Sequence, residues 1–375
     1  MGRESEMLER KITIRQCYVY GLLTSLLLFL ALSVTAQEPL RAHSWEVYIE
    51  RDTPTMGIDT LIFQDILTGE VTSAQVAGER YTQFDDRILY FDHANQSVMT
   101  VDSQGQIIPH SVIQLGDARR LDWVVSADQR LIAWTLTYDV ADGMRTETFV
   151  ASPDGANIRE VFTEDPRSDG LRAFPISFSA DKSALVMDFH PDLISGFAPY
   201  TQYAGLFRLS LSDGSISPLP DDGTPCFCSA ALYAGQLMRL SVTSDLSGFD
   251  VLVFDLTSER AMTIPATRLT NFTQAGDILI APDGSRAVYA LSEIDDFGTE
   301  SQTIQTVFML VDLQSLIQTR LTEPVTRYIH PVKWTEDNTA VIFTSPERNG
   351  TWKINLADGI LTKVAEATYL GVIIE

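Results

Sequence analysis

The chain has little cysteine, little histidine and an excess of acidic over basic side chains. Its 375 residues include 3 Cys and 5 His, and 27 Lys and Arg stand against 50 Asp and Glu, a net charge of -23. An acidic surface of this strength repels phosphate backbones, so we expect no nucleic-acid partner. The few Cys and His are dispersed, without metal-ligand spacing, so we expect no metal and no cofactor.

Long apolar runs are also scarce, which excludes a multi-span membrane protein. The one such run, Val19–Val34, follows a basic segment and precedes small residues at Val34–Ala36. This pattern predicts a secretory signal peptide over residues 1–36 and a single mature domain over residues 37–375. The alternative is an uncleaved anchor formed by residues 19–34. We therefore expect an extracytoplasmic protein, secreted or periplasmic, with membrane contact only if the segment stays uncleaved.

Two cysteines remain beyond the signal, Cys226 and Cys228. An oxidising compartment permits a disulfide between them. In a regular strand, however, the Cα atoms of such a pair lie about 6.5–7 Å apart, at the upper edge of the bridgeable range. A disulfide therefore needs a turn at Phe227, and the alternative is two buried thiols on one face of a strand.

Recognised catalytic motifs are missing as well. The sequence contains no Gly-x-Ser-x-Gly, no His-Glu-x-x-His and no phosphate-binding loop. Acidic pairs such as Asp221–Asp222 and Asp295–Asp296 could bind calcium or act as a glycosidase pair. We interpret them as solvated loop acids and predict no catalytic residue.

The sequence does contain a repeat. Short apolar runs alternate with polar turns throughout the chain beyond residue 40, a pattern typical of β-strands. Aspartate-containing turns with an apolar run on each side recur about every 50 residues, or at twice that distance, at Asp128, Asp181, Asp283 and Asp337. A second hairpin turn follows within each unit, for example at Asp154-Gly155, Asp213-Gly214 and Asp358-Gly359.

Four strands per unit of about 50 residues indicate a propeller blade. The mature length predicts an all-β fold, a seven-bladed β-propeller of four-stranded antiparallel sheets, with strands A to D in each blade. The first unit supplies only three strands, so we expect Tyr369–Ile374 to complete it as its innermost strand. The large aromatic residues within strands should fill the core between blades: Trp123, Trp134, Phe178, Trp334 and Phe343.

Two segments carry a family resemblance. The stretch Ala281–Arg286 and the apolar run after it resemble the TolB-type β-propeller repeat, which is WD-like. Thr344–Ile354 resembles the second-to-third strand segment of the same repeat. The resemblance implies a propeller fold, an extracytoplasmic setting, and protein or ligand binding as the usual use.

Topology then predicts where binding occurs. In an up-and-down blade the A–B and C–D turns share one face, here called the short-turn face. The B–C and D–A connections share the other, the long-loop face, and long B–C segments are expected at Asp139–Arg145, Phe189–Ala204 and Ser292–Gln305. Elaborated loops on a rigid scaffold often carry function. One of these segments supplies five candidate recognition residues: Phe189, His190, Phe197, Tyr200 and Tyr203. The alternative is that these rings fold back onto their own blade.

The sequence thus favours an exported, non-catalytic propeller. We expect it to be a monomer that binds an unknown protein or small ligand through the long-loop face. The alternative function is that of a propeller hydrolase or lyase, which would act on saccharide or peptide through carboxylates in the channel.

Overall fold

The protein is described here by a computed structural model. The described residues are 43–52, 57–192, 200, 203, 205–219, 229–233, 235–256, 258 and 260–375. Within the unit Ser44–Glu375, the described residues form seven four-stranded antiparallel sheets. The predicted seven-bladed β-propeller is therefore confirmed. The predicted signal peptide, Phe197, Cys226 and Cys228 lie outside the described residues.

The blades follow one another along the chain. Blade 1 contains β1 (Ser44–Glu50), β2 (Asp59–Asp65) and β3 (Val71–Val76), and blade 2 contains β4 (Gly78–Phe84), β5 (Arg87–Asp92), β6 (Ser97–Asp102) and β7 (Ile107–Pro109). Blade 3 contains β8 (Arg120–Val125), β9 (Ile132–Val140), β10 (Gly143–Ala151) and β11 (Arg159–Thr163). Blade 4 contains β12 (Leu171–Phe178), β13 (Ala184–Pro191), β14 (Leu206–Ser210) and β15 (Ile216–Pro218).

The remaining three blades have the same order. Blade 5 contains β16 (Ala230–Tyr233), β17 (Gln236–Val242), β18 (Phe249–Asp255) and β19 (Arg260–Ile264). Blade 6 contains β20 (Gln274–Ile280), β21 (Arg286–Asp295), β22 (Thr303–Asp312) and β23 (Ile317–Arg320). Blade 7 contains β24 (His330–Trp334), β25 (Ala340–Ser345), β26 (Arg348–Asn355) and β27 (Leu361–Ala365).

The C-terminal strand closes the ring as predicted. β28 (Thr368–Ile374) pairs antiparallel with β1 and is the innermost strand of blade 1, in the order β28-β1-β2-β3. In this register Trp45 lies opposite Ile373, and both side chains are buried. The two ends of the described chain thus join in one sheet, in which β1 pairs with a strand on each side, β28 and β2.

The repeating aspartates form the A–B turns because each accepts a local hydrogen bond. The hydroxyl of Ser126 donates to Asp128 at 2.8 Å, and that of Ser179 donates to Asp181 at 2.7 Å. Each bond joins a serine to the aspartate two residues later and so stabilises the turn locally. The same geometry recurs in blade 7, where Thr335 donates to Asp337 at 2.7 Å.

The core lies between neighbouring blades. One cluster joins Val47 and Phe63 of blade 1 to Ile88 and Tyr90 of blade 2, and all four side chains are buried. Equivalent clusters lie at each following junction up to that between blades 6 and 7. The aromatic side chains predicted for this core are all buried: Trp123, Trp134, Phe178, Trp334 and Phe343.

Two predicted long loops are instead mostly strand. The segment Asp139–Arg145 contains the end of β9, a tight turn and the start of β10, with Val140 opposite Gly143. The segment Ser292–Gln305 is largely the paired ends of β21 and β22, which reach Asp295 and Thr303. Both hairpins continue as hydrogen-bonded ladders, and only their tips are loops. Among the described residues, no helix is long and apolar enough to cross a membrane.

Candidate functional site

The innermost strands begin on the long-loop face, and several of them place ionisable side chains near that end. β4, β8 and β12 carry arginines and an aspartate at or near their first residues, whereas β20 and β24 carry an aspartate and a histidine. The first set joins blades 2, 3 and 4, and the second joins blades 6 and 7. These side chains are Arg80, Arg120, Asp122, Arg172, Asp277 and His330.

Asp122 is the centre of the first set. Its side chain is only 4% exposed and accepts hydrogen bonds from three guanidinium groups. Arg80 donates to Oδ1 at 2.9 Å, whereas Arg172 and Arg120 donate to Oδ2 at 2.6 Å and 3.1 Å. A buried carboxylate with three cationic partners holds those cations in fixed positions.

Two further aspartates extend this network towards solvent. Asp192, just after β13, lies 2.8 Å from Nη2 of Arg119 and 3.1 Å from Nε of Arg172. Asp139 lies 3.0 Å from Nε of Arg119. We call Arg80, Arg119, Arg120 and Arg172 the arginine cluster; they outnumber their three aspartate partners by one positive charge.

The network keeps Asp122 ionised. Burial by itself would raise the pKa of Asp122, but the nearby guanidiniums of Arg172, Arg80 and Arg120 outweigh burial and lower that pKa. A carboxyl group with a lowered pKa holds no proton to donate near neutral pH. Asp122 is therefore suited to positioning cations and not to general acid catalysis.

A cavity of about 640 Å³ opens beside the arginine cluster, between blades 2 and 3. Three members of the cluster line it, together with one acidic, one amide and three apolar side chains: Glu79, Arg80, Phe91, Gln96, Leu115, Arg119, Arg120 and Leu121. Volumes of this order are usual for small-molecule sites. The cavity is therefore large enough for a small ligand and is lined mainly by positive charge.

The second set of ionisable groups lies on blades 6 and 7. Nδ1 of His330 is in hydrogen-bond contact with a carboxylate oxygen of Asp277, and the two side chains are 30% and 23% exposed. The ring of Tyr200 lies edge-on to His330, with centroids 5.9 Å apart. The hydroxyl of Tyr200 bonds to that of Ser292 at 2.5 Å. The bond to Asp277 fixes the orientation of the His330 imidazole.

The predicted recognition residues are mostly inside the molecule. Tyr200 is 4% exposed and Tyr203 is 8% exposed, so their rings pack inward. His190 and Phe189 belong to strand β13 and not to a loop, and His190 is 6% exposed. The half-buried Phe189 stacks on Phe207, with centroids 4.5 Å apart. The expected exposed surface is thus not formed by Tyr200, Tyr203 or His190, because each buries its ring.

The alternative prediction places these rings on their own blade, blade 4, whereas Tyr200 packs on blade 6. Its Cβ lies close to Gly276 of blade 6, and its ring contacts Tyr328 of blade 7 at a centroid distance of 6.1 Å. Tyr203 joins the cluster between blades 4 and 5. Binding roles for Phe189, His190, Phe197, Tyr200 and Tyr203 stay predictions, as does the disulfide or thiol alternative at Cys226 and Cys228.

The arginine cluster and the Asp277–His330 pair were not predicted from the sequence. Each arginine belongs to a different strand or connection, and the packing of three neighbouring blades brings them together. A usable signal existed, because Arg120 and Arg172 occupy nearly the same place in successive repeats, eight or nine residues before a turn aspartate. Within the described part of the chain, no group of three or more His, Cys, Asp or Glu side chains could hold a metal ion.

Comparisons with known proteins inform the fold of this chain and not its candidate site. No family model matches the chain, and no curated protein matches it. Among solved structures, the chain is similar to an oligogalacturonate lyase in complex with manganese, with a TM-score of 0.52 and 12% identity over 87% of this chain and 86% of that chain. It is also similar to a prolyl endopeptidase, with a TM-score of 0.57 and 9% identity over 88% of this chain and 50% of that chain.

A TolB protein is also among the similar structures. TolB from Acinetobacter baumannii aligns with a TM-score of 0.41 and 13% identity, over 76% of this chain and 64% of that chain. This TM-score carries no argument, and at 9–12% identity the likeness to the lyase and the endopeptidase shows a shared fold and nothing finer. The propeller expectation is thus confirmed, and membership of the TolB-type family stays a prediction.

Proposed function

We propose that the protein is an exported, non-catalytic β-propeller that binds a partner or ligand through its long-loop face. The observation that carries this proposal is the arginine-lined cavity on that face. In a chain with a net charge of -23, a cavity bordered by Arg80, Arg119 and Arg120 is a local reversal of charge. Such a reversal attracts an oppositely charged partner and orients its approach.

The state of the carboxylates also supports binding over hydrolysis. A pair of catalytic acids needs one member that carries a proton at working pH. Asp122 and Asp192 both contact Arg172, and the lowered pKa of Asp122 leaves it ionised. These acids are used to hold guanidinium groups in place.

Export is supported by the sequence of residues 1–36, with its basic segment, apolar run and small residues. Sequencing the N-terminus of protein recovered outside the cytoplasm tests this part of the proposal. A mature protein beginning near Gln37 is the expected result. Protein that retains Val19–Val34 would instead support an anchored form.

The binding face is tested by capture with two matched variants. Arg119→Ala removes a positive charge from the long-loop face, and Arg130→Ala removes one from the short-turn face of the same blade. We expect a partner captured by the wild-type protein from the extracytoplasmic fraction to be lost with the first variant and kept with the second. Loss with Arg130→Ala alone would place binding on the opposite face and contradict the proposal.

A second candidate function is hydrolysis or elimination on a saccharide or peptide. It is favoured by the Asp277–His330 pair, in which a carboxylate orients a part-exposed imidazole. Two structurally similar proteins are an oligogalacturonate lyase and a prolyl endopeptidase, which makes oligogalacturonate and proline-containing peptides the substrates to assay. Turnover by the wild-type protein that is lost in His330→Gln would establish this function and refute the non-catalytic one.

A further inference from the structure

We propose that the cavity between blades 2 and 3 binds a small organic anion, which Arg120 holds through a carboxylate or phosphate group while Arg80 and Arg119 flank it. The inference rests on the proposed function, because it names the ligand class for the same face. It follows from four features of the cavity: an unused guanidinium edge, fixed neighbours, buried counter-charges and a suitable size.

Arg120 supplies the unused edge. Among the described residues, its hydrogen bonds are made by Nε alone, to the two oxygens of Asp122 at 3.1 Å and 3.4 Å. Its terminal nitrogens Nη1 and Nη2 therefore have no partner in the described part of the protein, and its side chain is 37% exposed at the cavity. Two parallel N–H donors match the two oxygens of a carboxylate or phosphate.

Arg80 is held rigidly beside it. Its guanidinium lies 4.6 Å from the ring centroid of Trp123 and donates both to Asp122 and to the carbonyl of Leu121. The backbone at Arg80 has φ of 62°, next to a β-bulge between Glu79 and Thr82. Bulges redirect side chains, and left-handed backbone in a non-glycine residue is tolerated where the surroundings hold it. The cation is thus positioned before any ligand arrives.

Two of the three aspartate partners, Asp122 and Asp192, lie deeper than the cations, whereas the third, Asp139, is 65% exposed. The side chains of Asp122 and Asp192 are 4% and 10% exposed, whereas Arg80, Arg119 and Arg120 are 33%, 40% and 37% exposed. A ligand in the cavity therefore meets guanidinium groups first. Glu79 is the one acid lining this cavity, and its carboxylate lies 3.8 Å from Nε2 of His93.

The uncharged residues that line the cavity indicate the chemistry of the rest of the ligand. Phe91 and Leu115 offer apolar surface, and Gln96 offers an amide. A cavity of about 640 Å³ holds a small molecule with one or two anionic groups and a short uncharged body. An extended polymer would have to leave most of its length outside.

The test uses citrate and inorganic phosphate as probes. The full chain, purified as its host processes it, is titrated with each probe by isothermal calorimetry at low salt and pH 7. We expect saturable binding with one site, weaker at high salt because the charges are screened. Tighter binding of citrate would identify a carboxylate as the recognised group, and tighter binding of phosphate would identify a phosphate group.

Variants connect binding to Arg120. Arg120→Gln should weaken the better probe about 10- to 100-fold, because two charge-assisted hydrogen bonds are lost. Arg120→Lys keeps the charge without the planar pair of donors and should recover only part of this loss. Arg130→Gln, on the short-turn face of the same blade, is the matched control and should bind as the wild type does. If Arg120→Gln unfolds early in a melting experiment, Arg119→Gln takes its place, with the same loss expected.

Two results would overturn the inference: no binding of either probe, or equal weakening in Arg120→Gln and Arg130→Gln. Either could occur while a partner is still captured through the long-loop face, in which case the proposed function stands and only the anion site fails. Turnover that depends on His330 would instead defeat the proposed function and leave the titration result intact.

Discussion

Ring closure by the C-terminal strand can be tested with two adjacent isoleucines. On β28, Ile373 is fully buried opposite Trp45, whereas the next residue, Ile374, is 57% exposed. The difference arises because successive side chains of a strand point to opposite faces. Replacing each with alanine makes the same chemical change in two different environments.

The expected magnitudes differ severalfold. Ile373 packs in the cluster between blades 1 and 2, which includes Val47 and Ile88, both fully buried. Removing its side chain leaves a cavity enclosed by β1 and blade 2, and such changes cost about 2–5 kcal/mol in the free energy of unfolding. Ile374→Ala should change that free energy by no more than about 0.5 kcal/mol.

Urea unfolding followed by tryptophan fluorescence measures both variants. We expect a lower midpoint for Ile373→Ala with an unchanged slope, because β28 unfolds together with the ring. Deleting residues 369–375 should abolish the cooperative transition altogether, since β1 then becomes an uncovered edge. Coincident curves for Ile373→Ala, the wild type and Ile374→Ala would refute closure by this strand.

Three further predictions concern charge. Asp122→Asn should destabilise the protein by roughly 3–5 kcal/mol in urea, because the buried guanidinium of Arg172 loses one of its two carboxylates and Arg80 and Arg120 lose theirs. Asp139→Asn, at a carboxylate that is 65% exposed, should cost less than about 1 kcal/mol, and equal costs for the two variants would contradict the network. Burial lowers the pKa of His110 to about 4, so the unfolded chain, with a histidine pKa of about 6.5, binds a proton first and stability should fall as pH drops from 6.5 towards 4. His110→Gln should flatten that part of a thermal-melting pH profile, and an unchanged profile would contradict the assignment. Lysine and hydroxyl partners lower the pKa of three turn aspartates to about 2: Asp128, Asp181 and Asp337. The stability that these ionised aspartates contribute is therefore present above pH 4 and is lost as pH falls towards 2. Replacing the turn hydroxyls by alanine should reduce this loss of stability at acid pH.

The blade repeat was predictable because its signal is local. A hydroxyl two residues before an aspartate forms its turn without help from the rest of the protein, as at Ser126 and Asp128. The closing strand was predictable for a different reason, since the first unit lacked one strand and the chain ended in a spare one. Both inferences need only turn chemistry and a count of strands.

The polar ends of long hairpins were misread for a physical reason. Residues near Asp139 and Asp295 extend beyond the fully buried part of their blades, and their side chains are half-buried or exposed. Apolar residues become sparse there, as at Val140 and Ile294, although the backbone ladder continues. Hydrophobic pattern reports burial, and it says little about strands that are solvated on both sides.

The burial of Tyr200 could not be read from its neighbours in sequence. The Phe189–Ala204 stretch is rich in aromatic residues, which fits either an exposed recognition surface or an internal contact. Tyr200 reaches Ser292, ninety-two positions away, and Tyr328 of blade 7. Only the arrangement of blades around the ring decides between these readings, because contacts across the ring have no local sequence signal.

The arginine cluster shows how a repeated strand position and the packing of neighbouring blades together create a site. Arg120 and Arg172 lie at the beginning of the innermost strands of adjacent blades, β8 and β12. Arg80 lies in the bulge of the innermost strand of blade 2. Like charges at this spacing repel one another, so the cluster is stable only because Asp122 lies beneath it. That carboxylate takes one nitrogen of Arg120 and leaves two others unbonded among the described residues. A cluster that only stabilised the blade junction would not require a third, part-exposed cation with unbonded donors, and this is the physical reason to propose a ligand at Arg120.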